Sequence, residues 1–427
     1  MKYEKNVQHF FFAFCLCFFS FFSKAQHNIT QVFNTENSAL TNNTVRALAV
    51  DENGAKWIGT DNGLLKHEND SWTIFQTASS PIPDNQIRAI SIDSANNIWI
   101  GTFLAGIMRF DSENWTFFNT SNSDLPENQI TDITFDDNEN VWIATTGGLA
   151  KLDNTENISV FNGNIMPNVW LLNVSAIAID AQQLLWVAPV NSGLLSLNIE
   201  NNEFTNYQLT NSNVPDNTML DIATDSNNTK WLTTAADGIG NFDDVVFTNF
   251  DANATNLNSN STTKIAVNQQ NLVLVGTTNA GLNIYNKNAN TWQQLTTENS
   301  SLPDNHILSL AFENDSLAYI GTFAGGFCQL ELDLTTAIND NISPNNALQY
   351  KLNAFPNPAK NTIHISDIEQ LPKSVFMYDN TGKRYVSESF EASWPQLDVS
   401  HLEVGIYYLH ILSQKNERKS TKIAIFR

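Results

Sequence analysis

Arg46 and Arg88 stand 42 residues apart in a 427-residue chain, each directly after an aliphatic residue, Val45 or Ile87, that opens a β-branched run. Guanidinium groups repeated at such a spacing can converge on one carboxylate of an acidic glycan or peptide, although arginines of this kind also pair with local acids. Three residues before each arginine lies Asn43 or Asn85, and the same place recurs as Asn128, Asn217, Asn260 and Asn305, with Leu172 breaking the series. Asparagine in a turn bonds its own backbone, so a structural role competes with ligand binding. A second, more variable turn carries Asp61 in one copy, Phe103 in another and Phe323 in a third. The two phenylalanines could stack on sugar faces or cover the sheet beneath them.

Catalytic chemistry is poorly supplied. Within the repeats only His27, His67 and His306 are available, at unrelated places, which supports neither a nucleophilic triad nor a metal cluster. No calcium loop with a closing Glu occurs, so no metal or cofactor is expected. Asp136-Asp137 and Asp243-Asp244 read as solvated turns. Acidic residues are plentiful, and the spacing of a carboxylate pair in space is invisible here, so a polysaccharide lyase or hydrolase remains an alternative.

What must position these residues is a repeat. Its strongest column runs Trp57, Trp99, Trp142, Trp186, Trp231, Leu274 and Tyr319, in steps of 42, 43, 44, 45, 43 and 45 residues. Short β-branched runs bounded by Asn, Asp, Pro and Gly at that period indicate propeller blades. An outer-strand column of Phe75, Phe118, Phe161, Tyr207, Phe250 and Leu295 has its seventh copy at Phe33, first in the chain. The last repeat stops one strand short after Leu332, so residues 29–33 are expected to complete the seventh blade and close the ring. The expected fold is therefore all-β, a seven-bladed β-propeller closed by its N-terminal strand and followed by a small C-terminal β-sandwich. The tryptophan column is expected to be interior, and Gly59, Gly101, Gly276 and Gly321 to admit a neighbouring blade.

The boundaries follow from composition. Lys2 and Lys5 precede a 13-residue apolar run, Phe10 to Phe22, and Ser23-Lys24-Ala25 suits cleavage, so residues 1–25 read as a signal peptide. Residues 26–332 are the propeller, 333–350 a polar linker and 351–427 the second domain. No later run is long and apolar enough for a membrane helix. Residues 26–344 hold 9 Lys+Arg and 35 Asp+Glu, net −26, whereas 345–427 hold 10 and 8, net +2. An acidic propeller disfavours nucleic acid and anionic membranes as partners. Only Cys328 survives signal removal, so packing, not a disulfide, must hold a monomer together.

Two resemblances follow. Ala354 with Pro356-Asn357-Pro358, then Gly382-Lys383, then Gly405 with Tyr407, and a last strand with Lys422 closely resemble the C-terminal sorting domain of the type IX secretion system. That resemblance implies a Bacteroidetes-type cell, Sec export, the type IX machinery as a partner, and surface attachment or release. The blades resemble the two-component-regulator propeller repeats, on Leu302-Pro303-Asp304-Asn305-His306-Ile307 and on Trp57-Ile58-Gly59-Thr60 with Gly63-Leu64. That family implies sensor ectodomains, some responding to glycans. With no membrane helix or kinase in this sequence, signalling within one chain is not expected. The expected function is non-catalytic recognition of an extracellular ligand, glycan or protein, with a surface adhesin or protein scaffold as the alternative to an enzyme.

Overall fold

Each copy of the repeat folds as one antiparallel four-stranded sheet, a meander from the axis outward. The computed structural model describes residues 27–161, 173–333, 353–355, 359–366, 374–379, 384–388, 396–412 and 418–426. The expected signal peptide, Leu172 and nearly all of the expected linker lie outside them. Two compact units divide the chain, Met1–Ala337 and Ile338–Arg427.

The first unit is a seven-bladed propeller. Blade one pairs Val45–Val50, Lys56–Thr60, Gly63–Glu68 and Ser71–Phe75 in chain order, and five further blades repeat that order. In the seventh, Ile307–Asn314, Leu317–Thr322 and Phe327–Glu331 are joined at the outer edge by Asn28–Phe33, with Phe33 opposite Phe327 and Asn28 opposite Glu331. First and last repeats thus share a sheet, and no open edge is left between them.

Blades pack through the column that carries the period. Trp57, Trp99, Trp142, Trp186 and Trp231 are 0–3% exposed, and Tyr319 is 2% exposed. Each tryptophan Nε1 donates to the carboxylate six residues earlier, Asp51, Asp93, Asp136, Asp180 or Asp225, at 2.8–3.1 Å. The other oxygen of Asp51 accepts the N–H groups of Asn53 and Ala55, which fixes the hairpin turn before the tryptophan. Asp136 was expected in a solvated turn and is instead buried in this role, because a buried indole N–H needs an acceptor. Asp244, by contrast, lies in an exposed turn as expected, its side chain 48% exposed, and pairs there with Lys230.

Every aromatic residue of the column also carries a cation. Lys66, Arg109 and Lys151 lie over Trp57, Trp99 and Trp142, Lys230 and Lys287 over Trp186 and Trp231, and Lys56 over Tyr319, at 4.8–5.8 Å from the ring centroids. The acidic turns below the rings make those positions favourable for a positive charge.

The conserved shape of the blade leaves no room for a side chain beside the next blade. A Cβ at Gly59 would lie 2.6 Å from Ile87 Cγ2, and one at Gly101 would lie 2.4 Å from Ile130 Cγ2. The expected close approach is therefore met by the first residue of the following innermost strand. Trp72 and Trp115, on outer strands, pack edge-on against Phe33 and Phe75 at the seams, and Trp292 stacks on Tyr285 of its own blade and meets Phe250 of the blade before at 6.3 Å.

In the second unit Thr362–Ser366 is flanked by Asn353–Phe355 and Gln396–Asp398, and a separate four-stranded sheet is ordered Arg384–Glu388, Ser374–Asp379, Gly405–Leu412, Arg418–Ile425. Ile363 and Leu397 of the first sheet and Met377, Leu409 and Ile423 of the second belong to one buried cluster. Tyr407 is buried there and donates its hydroxyl to the Glu403 carbonyl. Gly405 and Lys422 lie on its last two strands. Pro356, Asn357, Pro358, Gly382 and Lys383 fall outside the described residues.

Candidate functional site at the axial mouth

The turns that enter the innermost strands are built by the repeated asparagines. The Oδ1 atoms of Asn43, Asn85, Asn128, Asn217, Asn260 and Asn305 each accept the backbone N–H eight residues earlier, at 2.6–3.0 Å. Their carbonyls accept the N–H of Gly326, Gly63, Gly106, Gly193, Gly238 and Gly281, the turn glycines of the preceding blades. All six glycines have φ between 79° and 120°, where an L-residue is strained. Each asparagine therefore locks its own loop and staples it to the blade before. None of the six lines the axial cavity.

A local irregularity aims other residues at the axis. In every innermost strand the pairing register shifts just after the first residue. Such a bulge takes the following residue out of the ladder and re-aims its side chain. Arg46, Arg88, Thr131, Ser175 and Leu308 occupy that second position, and all line a cavity of about 510 Å³, joined by Phe103 and Lys264.

The charges there are arranged with the acids set back. Arg46 donates from Nε and Nη2 to the two oxygens of Asp61, at 2.5 and 2.9 Å. Arg88 lies 3.7 Å from Asp61, donates from Nη2 to Gln86, and stacks its guanidinium on Phe103 at 4.5 Å. Its Nε is enclosed without a hydrogen-bond partner. Burial, then the neighbouring charge of Arg46, lowers the Arg88 pKa. Arg46, Arg88, Asp61 and Phe103 are thus brought together. One face of Phe103 supports Arg88 and is closed to a sugar. Phe323 is 46% exposed and stacks on His306 at 5.2 Å, outside the cavity lining.

Lys264 was not picked out as a candidate from the sequence. It occupies the third position of its strand, Thr262–Val267, where Ala47, Ala89 and Ala176 stand in other blades. Asp132 and Asp221 hold the same place, and each accepts the N–H of the next blade, from Ile177 and Ile265, both at 2.9 Å. Lys264 Nζ reaches Asp221 at 3.3 Å. Burial opposes its charge, but the carboxylates of Asp221 and Asp132 outweigh that, and its pKa is raised. Four polar residues, Asp132, Asp221, Lys264 and Ser309, interrupting an alanine column were the available signal.

Asp132 has a measurable consequence. Burial drives its carboxyl up to about 6, against Lys264 and with Asp221. A raised folded-state pKa contributes stability that is complete below the unfolded value near 4 and is lost as pH rises through about 6. Asp132→Asn is therefore expected to shift stability relative to the parent in the variant's favour by about 2 kcal/mol between pH 4.5 and 7, after discounting for solvent in the channel. Paired urea melts across that range would show it; a pH-independent difference would refute it.

Among the described residues no group of three His, Cys, Asp or Glu is placed to hold a metal ion. The carboxylates of Asp132 and Asp221, on the innermost strands, have their oxygens on backbone N–H groups and Lys264.

With this geometry in view, comparisons locate the chain among known proteins. Residues 353–426 match the model of the secretion system C-terminal sorting domain, and residues 81–103 and 124–147 that of the two component regulator propeller. No curated protein matches. An extracellular domain described as belonging to a hybrid two component system of B. thetaiotaomicron is similar at TM-score 0.61 and 18% identity, over 94% of this chain and 57% of that one. PorZ, an essential surface component of the type-IX secretion system of Porphyromonas gingivalis, is similar at TM-score 0.56 and 16% identity, over 92% and 61%. Virginiamycin B lyase from Staphylococcus aureus, in a catalytically inactive form with quinupristin, is similar at 0.60 and 14%, over 72% and 100%. The chain thus spans about three fifths of the first two of these structures. At such identities these likenesses show the propeller fold alone. No helix among the described residues is long and apolar enough to cross a membrane. Residues 81–103 and 124–147 are thus similar to two component regulator propeller repeats, and residues 353–426 to a type IX sorting domain, which marks the chain for secretion and the cell surface.

Proposed function

We propose that the propeller is a non-catalytic recognition module, displayed at or beyond the cell surface, that takes a saccharide at its axial mouth. The observation that carries this reading is the cavity of about 510 Å³ to which six of the seven innermost strands contribute, walled by hydroxyl and amide groups with apolar Ile130, Val190 and Leu308 between them. Ligand sites of small molecules have that size and that mixture of a largely apolar wall with a few placed polar groups. The Ser175 hydroxyl and the amides of Gln129 and Asn173 suit sugar hydroxyls. The sorting domain delivers the cavity to the place where extracellular glycans are met.

A catalytic reading has a neighbour in virginiamycin B lyase, but the axial carboxylates of this chain are occupied by its own backbone. On a glycan array the mature chain is expected to retain a defined subset of saccharides, without releasing reducing or unsaturated ends from the polysaccharides that carry them. Absence of any retained glycan, with capture of a surface protein independent of glycan, would favour a protein scaffold instead.

A further inference from the structure

The nine Lys and Arg residues between 26 and 344 face 35 acids, so the location of each cation is informative. Six are matched one to one with the six aromatic residues of the interior column. The remaining three, Arg46, Arg88 and Lys264, come from three different blades, and all three line the axial cavity, whose lining includes no acid. In a net −26 domain, a cavity with three cations and no carboxylate on its wall is a local reversal of sign.

The counter-charges are present but turned into the wall. Asp61 gives both oxygens to Arg46. Asp84 accepts the N–H groups of Gln86 and Leu104. Asp132 accepts those of Ile133 and Ile177, and Asp221 accepts that of Ile265 with one oxygen and pairs with Lys264 at 3.3 Å through the other. Arg88 is the least satisfied of the three cations, with an enclosed Nε lacking a partner and no acid within hydrogen-bond distance. A neutral ligand would leave the enclosed Arg88 Nε desolvated and unmet, which is costly, whereas an acid group would complete it.

Resting on the reading that the mouth takes a saccharide, we propose that this saccharide is a uronic acid, its carboxylate held by Arg88 and Lys264 with Arg46 beside them, and its hydroxyls met by Ser175 and Thr131. The acid supplies the charge complement, and the hydroxyl-bearing wall selects a sugar over a bare anion. The surrounding acidic surface repels polyanions that lack a unit fitting the cavity, which gives specificity as well as affinity. Arg46 acts through its bidentate hold on Asp61, which keeps that carboxylate away from the ligand.

The test is binding of the mature full chain to oligogalacturonates, oligomannuronates and hyaluronan fragments, against neutral galacto- and manno-oligosaccharides, sulfated glycans, and peptides with a free C-terminal carboxylate. Uronate binding that weakens as salt rises, and falls roughly 10- to 100-fold in Arg88→Gln and in Lys264→Gln with melting curves intact, is the expected result. Arg88→Lys is expected to recover part of it. Should a variant fail to fold, the salt dependence and the uronate-over-neutral preference of the parent chain still decide the matter. Neutral saccharides bound as well as uronates, with both substitutions silent, would overturn the acidic class while leaving saccharide recognition standing. Binding of sulfated glycans alone would overturn the carboxylate, and of peptides alone the saccharide. No binding to any probe would overturn the underlying recognition reading as well.

Discussion

A chain lacking residues 28–33 is expected to melt roughly 10 °C or more below the parent. Those residues form the outer strand of blade seven, paired from Asn28 opposite Glu331 to Phe33 opposite Phe327. Their loss removes a whole ladder and leaves Phe327–Glu331 as an unprotected edge. Phe33 also stacks on Phe327 at 4.6 Å and meets Trp72 and His67 edge-on, so one residue ties the first blade to the last. Truncating that side chain alone, Phe33→Ala, should cost about 3–5 kcal/mol. Deletion should cost more than this, because the sheet edge and the ring closure go together. Calorimetry of the two variants beside the parent checks it, and a deletion no worse than Phe33→Ala would show that the ring is held shut by other means.

This closure was legible in the sequence because the outer-strand aromatic recurs at a fixed place, and a copy at Phe33 has no other blade to join. The interior character of Trp57, Trp99, Trp142, Trp186 and Trp231 was legible on the same ground, since a ligand-binding surface would not repeat so evenly. Their partners at a spacing of six residues were also written in the chain, as Asp51, Asp93, Asp136, Asp180 and Asp225. Asp136 looked like a solvated turn because an acid next to another acid resembles surface, and only the indole above it reveals the acceptor role.

The candidate site was legible in part. Arg46, Arg88 and Phe103 converge, since equal offsets within successive blades must project toward a common axis. The contact of Arg88 on Phe103 was not visible, because it depends on which way two flexible side chains turn within a turn. Lys264 was hidden by the bulge that opens each innermost strand, which decides which residue faces the channel and leaves no mark in composition. The sorting domain stood out through spaced motifs rather than through folding physics, and Gly382-Lys383 needed no structure to be noticed.

The second large effect concerns Lys230, whose side chain is 0% exposed. Its Nζ donates to the Asn228 carbonyl at 2.9 Å, pairs with Asp244, lies 3.7 Å from the fully buried Asp180, and sits 4.8 Å above Trp186. Taking the ammonium away leaves Asp180 buried without its counter-ion, and breaking a buried pair from one side costs about 3–5 kcal/mol. Lys230→Met should reach that range although methionine fills much of the same volume. Lys66 offers the control, because it also lies over a column ring, Trp57, at 5.7 Å. Its ion pair with Glu68 is reached by solvent, the two side chains being 27% and 38% exposed, so Lys66→Met should cost less than about 1 kcal/mol. Urea melts of the two variants separate the causes. If the cation on the ring were itself the main source of stability, both would lose similar amounts. If burial of the pair governs, as the position of Asp180 demands, the loss falls on Lys230→Met, and blades four and five become the part of the ring where one missing charge is felt most.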